Sequence, residues 1–197
     1  LPGSIYHNVD FSSALRLLKT LEGKAALVAI PCQLDGLFAY IRECEPELVN
    51  KIACSLGLIC GWTYSHHALR AICTYKHIPF EKLTDVSYRG NGPVGKLRLT
   101  TADGTVKAVN RRIDLHYAAA FDRSFNLRRC HFCVNHGNYL AEIVVGDAWL
   151  PCTVHTKTGI SLVICRTERA TGYMRELESS GRITLAELFA NLGPSEV

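Results

Sequence analysis

The sharpest chemical signal in the sequence is a pair of cysteines two residues apart, Cys130-His131-Phe132-Cys133. With that spacing one turn of backbone can aim both sulfurs at a single metal centre. The pair does not name the metal, and two completions compete. In one, Cys32 and Cys60 supply the remaining thiolates and close a four-cysteine cage for a 4Fe-4S cluster. In the other, Cys152-Thr153-Val154-His155 completes a three-cysteine, one-histidine structural zinc site in a non-enzymatic binding module. Spacing alone favours zinc. Arg128 and Arg129, just before the pair, suit a site built from anionic thiolates.

Other motifs offer less. Gly90-Asn91-Gly92-Pro93-Val94-Gly95 matches the dinucleotide fingerprint as a string, but Pro93 and the Lys96-Leu97-Arg98-Leu99-Thr100 run lead into a strand where a phosphate-binding helix would be needed. It reads as a tight turn or as a loop whose bare backbone approaches a flavin or substrate, with Arg89 beside it as a partner for a phosphate or carboxylate. No Gly-x-Ser-x-Gly elbow is present, and His66-His67 falls on a helix, where a solvated face is the plain expectation. Cys32, after a strand and near a helix N-terminus, is expected to have a lowered pKa, which suits a ligand or a nucleophile; without an obvious histidine partner, ligand is preferred.

The elements that position these residues can be read from periodicity. Residues 10–21 carry Leu15, Leu18 and Leu21 on a helical stripe, with Asp10 or Ser12 as cap and Gly23 as terminator. Residues 25–30 form an apolar run suited to a strand buried on both faces, ending at Pro31-Cys32-Gln33, with a helix from about Asp35. The pattern recurs: a strand over 51–59, a turn at Cys60-Gly61 and a helix over 65–75. Two strand-cysteine-helix units predict an α/β fold, with α+β as the alternative: a mostly parallel sheet flanked by helices, with Cys32 and Cys60 facing one crevice beyond the carboxyl ends of the strands. Segments 97–101 and 105–109 around Ala102-Asp103-Gly104 predict an antiparallel hairpin insertion. A helix over 114–121, the cysteine-bearing loop, strands over 141–145 and 159–165, a helix over 167–177 and a short one over 185–192 complete the reading.

Composition sets the outer limits. The chain has 197 residues, 48% of them hydrophobic and 20% charged, which suffices for one domain with a real core over 1–197. No apolar run approaches the ~20 residues of a membrane span. A net charge of +4, concentrated at Arg111-Arg112 and Arg128-Arg129, is too mild for a nucleic-acid binder and suits an anionic cofactor or redox partner. The nine cysteines are odd in number, and Cys44, Cys54, Cys73 and Cys165 sit in apolar patterns, so a reduced, cytoplasmic protein is expected in place of a disulfide framework. The chain opens Leu1-Pro2-Gly3-Ser4 and its single methionine is Met174, so it is expected to be part of a longer protein lacking an N-terminal portion.

In order and spacing, Pro31-Cys32-Gln33, Cys60-Gly61 with Ser65, Tyr88-Arg89-Gly90-Asn91-Gly92, Cys130-x-x-Cys133, Gly146-Asp147-Ala148-Trp149, Gly159-Ile160-Ser161 and Arg166-Thr167 resemble the coenzyme F(420) hydrogenase/dehydrogenase beta-subunit family, C-terminal domain. The resemblance implies an oxidoreductase with FAD and a 4Fe-4S cluster, and it selects Cys32, Cys60, Cys130 and Cys133 as the cluster ligands. It also implies a flavin environment at Ser4, Tyr6, Arg89, Gly90, Asn91 and Gly92, while Asp147 and Trp149 are read as structural, a buried pair that orders the cluster loop. Expected partners are a redox protein or an upstream domain of the same polypeptide, and a small-molecule hydride donor or acceptor such as a deazaflavin. Self-assembly into an oligomer is left open. The sequence departs from the family pattern at Pro93, where Trp is usual, at Glu142, where Asp is usual, and in lacking the glycine-rich half that normally precedes Gly3-Ser4.

Overall fold

In the computed structural model, residues 10–89, 95–110, 114–121, 123–148 and 159–186 are described. Two sheets organise them. The first has four strands in the order β1 (Ala25–Ala29), β2 (Ile52–Leu58), β6 (Ile143–Asp147), β7 (Ser161–Cys165). β1 to β2 and β2 to β6 are parallel, and β7 runs antiparallel at the edge. The second is an antiparallel sheet of β3 (Leu83–Ser87), β4 (Lys96–Thr101) and β5 (Val106–Asn110). The class is α/β, as the repeated strand-cysteine-helix pattern predicts.

Helix α1 (Ser12–Thr20) has Phe11 at its N-cap in place of the expected Asp10 or Ser12; the Asp10 carboxylate, one residue earlier, accepts from the Ser12 amide at 2.9 Å, and the helix buries Leu18 against the first sheet. Helix α2 (Pro31–Cys44) begins four residues earlier than expected. Pro31 takes the first helical position, where its fixed φ helps and its missing N–H is no loss. The Gln33 side chain turns back to accept from the Ile30 amide at 3.1 Å. Leu34, Leu37 and Ile41 recur at helical spacing and pack with Leu27, Ala29 and Val144 into one core.

The expectation that β1 is buried on both faces is not met. Leu27 and Ala29 are buried, while Ala26 faces solvent and Val28 is 59% exposed. β1 is an edge strand, and α5 (Glu168–Ser179) covers the opposite face through Ala170 over Cys54 and Ile143, nearer the centre of the sheet.

The hairpin of β4 and β5 forms as expected, with Gly104 at φ +82° in its turn. The strand β3 beside it is not evident from the sequence and turns the hairpin into a sheet. That sheet packs Leu97, Leu99 and Val109 against α3 (His67–Tyr75) and α4 (Leu115–Phe121), making a second core with Ile72 and Phe121. Among the described residues no helix is long and apolar enough to cross a membrane. The helix expected over 185–192 lies mostly outside the described residues.

Candidate metal centre

Three separate stretches deliver four cysteines to one end of the first sheet. Cys32 stands in the first turn of α2, immediately past β1, and Cys60 two residues past β2. Cys130 lies in a 3-10 turn (Arg128–Phe132) and Cys133 caps it, its amide donating to the Cys130 carbonyl at 3.4 Å. That turn is moored on the chain leaving Cys60: the Leu127 amide donates to the Thr63 carbonyl at 3.0 Å, and the Cys130 thiol rests 3.9 Å from the same carbonyl.

The segment after the pair, residues 135–138, ties the other two cysteine loops to it. Asn135 Nδ2 donates to both carboxylate oxygens of Asp35 on α2, at 3.0 and 3.1 Å. His136 holds Cys60 twice: its carbonyl accepts from the Cys60 amide at 3.2 Å, and its Nδ1 lies 2.8 Å from the Cys60 carbonyl. A carbonyl only accepts, so that Nδ1 carries the hydrogen. Asn138 Nδ2 donates to the carbonyls of Ala29 and Leu58, at 2.9 and 3.2 Å, which are the carboxyl ends of β1 and β2.

The thiols lie within one another's fields. Burial first, and then the neighbouring Cys32, Cys130 and Cys133, push the Cys60 thiol up to about 11. Cys32 is also raised, by burial first, with Arg129 pulling it down and Cys130 and Cys133 pushing it up. This reverses the lowered value expected from its helix position: the surroundings of the thiol and its sulfur neighbours outweigh the helix N-terminus and the arginine. Thiols that resist ionising together are relieved by a cation placed among them, which displaces their protons. A donor set of four sulfurs with an arginine alongside suits a metal centre built on thiolates. Among the described residues no group of three or more His, Cys, Asp or Glu side chains is already arranged to hold a metal ion. The four thiols thus share a neighbourhood without forming a finished coordination sphere.

The remaining sequence candidates fall differently. Ser4, Tyr6, Gly90, Asn91, Gly92 and Trp149, and the zinc alternatives Cys152 and His155, lie outside the described residues. Arg89 is described, and its guanidinium pairs with the carboxylate of Asp147 at the end of β6, a side chain that is 44% exposed and not, as expected, buried, because it lies at the strand's end facing Arg89. Cys54 and Cys73 are buried among apolar side chains, as their patterns predict, whereas Cys44 is exposed at the end of α2. All eight described cysteines are unpaired thiols. Sequence reasoning missed Asp35, Asn135, His136 and Asn138. The Gly137-Asn138 dipeptide marks a turn, but nothing local says which distant carbonyls its amide will reach.

No curated protein sequence matches the chain. Among solved structures it is similar to a chain of the F(420)-reducing NiFe hydrogenase complex from Methanosarcina barkeri, with a TM-score of 0.65 and 18% sequence identity. The alignment covers 98% of this chain and 61% of that one, so the chain spans under two thirds of that relative's length. At this identity the likeness speaks for the fold. The family model for the C terminus of the coenzyme F(420) hydrogenase/dehydrogenase beta subunit matches residues 22–190, an interval that contains both sheets and all four converging cysteines, and the chain belongs to that family.

Proposed function

We propose that this chain is an electron-transfer module of an F(420)-type oxidoreductase, in which Cys32, Cys60, Cys130 and Cys133 hold one 4Fe-4S cluster that works with an FAD. The observation that carries the reading is the convergence of these four thiols, from three stretches of chain, at the carboxyl end of one sheet. A cluster there supplies one-electron transfer to or from a redox partner, while the FAD supplies hydride exchange with a deazaflavin or similar substrate. The protein's own part is to bind and orient. The four thiolates ligate, Arg129 offsets part of their charge at Cys32, and the hydrogen bonds of residues 135–138 fix the loops from which the thiols project.

The flavin environment is proposed at Ser4, Tyr6 and the Arg89-Gly90-Asn91-Gly92 run. Arg89 would act there as part of an ion pair with Asp147, positioning the loop. The partner is a redox protein or an upstream portion of the same polypeptide. Phe132 and Val134, 84% and 86% exposed on either side of Cys133, offer it an apolar seat beside the thiols. Unpaired thiols throughout the described residues suit a reducing, cytoplasmic setting.

Anaerobic purification followed by iron, sulfide and zinc analysis tests the proposal. The expected protein is brown, with about four irons per chain, and Cys32→Ser abolishes the colour. A colourless protein with one tightly held zinc, unaffected by Cys32→Ser, would transfer the site to Cys130, Cys133, Cys152 and His155 and sink the redox reading.

A further inference from the structure

Asn138 combines three features that a residue kept only for packing would not need. It is 0% exposed, its backbone adopts the left-handed conformation at φ +51°, and its Oδ1 finds no hydrogen-bond donor among the described residues. A left-handed φ disfavours most side chains, and a buried carbonyl oxygen without a donor carries a desolvation cost. An apolar residue would avoid the second cost and glycine the first. What asparagine supplies in return is one NH2 group, with two hydrogens, delivered to two carbonyls that belong to different strands.

Those carbonyls stand at the two places where strand gives way to cysteine. Ala29 is three residues before Cys32, and Leu58 two before Cys60. Side by side in a parallel sheet, β1 and β2 pair Ala29 with Gly57, and past that pair the ladder stops. The Leu58 carbonyl therefore lies beyond the last β1 pair, and the carboxamide replaces the missing rung. Gly57 makes the room: a Cβ there would come within 2.5 Å of Asn138 Nδ2. Asn138 itself is five residues past Cys133, on the segment whose Asn135 and His136 bind Asp35 and Cys60.

We propose that Asn138 is the positioning residue of the thiol cage, its carboxamide cross-linking the ends of β1 and β2 and so fixing where Cys32 and Cys60 stand relative to the Cys130-Cys133 turn. The proposal rests on the cluster reading for its purpose but not for its geometry, so it can be tested on the metal-free protein.

The first readout is alkylation of metal-free protein by iodoacetamide, with each cysteine followed by peptide mass spectrometry. Asn138→Gly keeps the left-handed backbone and removes only the carboxamide. It should raise the rate at half-buried Cys60 about tenfold or more, the size expected for losing the two hydrogen bonds that the carboxamide makes to Ala29 and Leu58, and leave exposed Cys44 unchanged. Leu97→Ala, in the core of the other sheet, destabilises without touching the strand ends and should not alter the Cys60 to Cys44 ratio. Asn138→Ser, with one O–H donor, should fall between. An unchanged ratio in Asn138→Gly, an equal rise in Leu97→Ala, or a failure of both Asn138 variants to fold would each overturn the assignment.

The second readout is reconstitution with iron and sulfide. Asn138→Gly should take up less iron than the unsubstituted chain, with a broadened electron paramagnetic resonance signal after reduction. Normal uptake and an unaltered signal count against the proposal. If the unsubstituted chain binds no iron at all, the cluster reading fails, while the alkylation ratios still decide the role of Asn138.

Discussion

At the scale of single residues, the site is defined less by its ligands than by the small side chains that let loops approach. Gly57 is the clearest case, because a Cβ at that position would lie 2.5 Å from Asn138 Nδ2 and 2.6 Å from the Ala141 Cβ. Neither neighbour is the loose end of a long side chain, so one of them must move. Gly57→Ala is expected to lose about 1–3 kcal/mol, read as a lower urea midpoint with an unchanged slope. Retention of full stability would mean that the strand end is softer than its packing implies. That Cys32, Cys60, Cys130 and Cys133 share a neighbourhood was expected from the resemblance and not from spacing, which on its own points to Cys152 and His155. Asn138 was not legible, because its role depends on two carbonyls that are distant in sequence. The direction of the Cys32 shift was also misread: a helix N-terminus is visible in sequence, whereas the partial desolvation of a thiol on an exposed residue and the proximity of Cys130 and Cys133 are properties of the folded chain.

At the scale of elements, the two cysteine-bearing crossovers came through because β1, α2 and β2 switch from apolar runs to helical periodicity within a few residues. The strand β3 did not, since Leu83-Thr84-Asp85-Val86-Ser87 alternates too weakly to stand out and is held by its pairing with β4. The exposed face of β1 was misjudged for a related reason: an apolar run does not say which strands will stand at an edge. The hairpin of β4 and β5 carries its own electrostatic signature. Asp103 accepts from the Thr101 hydroxyl at 2.6 Å and from the Thr105 amide at 3.0 Å, and these bonds hold its carboxyl down at about 2. A carboxyl depressed on folding contributes stability above its unfolded value of about 3.9 and loses it as pH falls toward 2. Thermal unfolding followed between pH 5 and pH 2 should therefore show a fall that Asp103→Asn makes shallower. Identical acid profiles for the two proteins would remove Asp103 from the account of the turn.

At the scale of the whole molecule, the described residues form two sheets with separate cores, and what joins them bears on how the proposed cofactors divide. The four thiols belong to the first sheet and its loops, whereas Arg89 follows β3 in the second. The ion pair between Arg89 and Asp147 therefore links the end of one sheet to the end of the other. The Arg89 side chain is 20% exposed and that of Asp147 44%, so solvent screens the pair and the direct coupling is expected to be modest, about 0.3–1 kcal/mol. A double-mutant cycle of Arg89→Ala and Asp147→Ala, read by urea unfolding at low and high salt, isolates that coupling from the other contacts of each side chain. The coupling should shrink in high salt. Iron uptake distinguishes a link between sheets from a support of the thiols. Because the loops that carry the thiols are moored through Leu127, Asn135, His136 and Asn138, Arg89→Ala should keep its iron while Cys32→Ser loses it. Loss of iron in both would mean that the second sheet holds the cage in place, and that the division of labour between cluster and flavin cannot follow the division between the sheets.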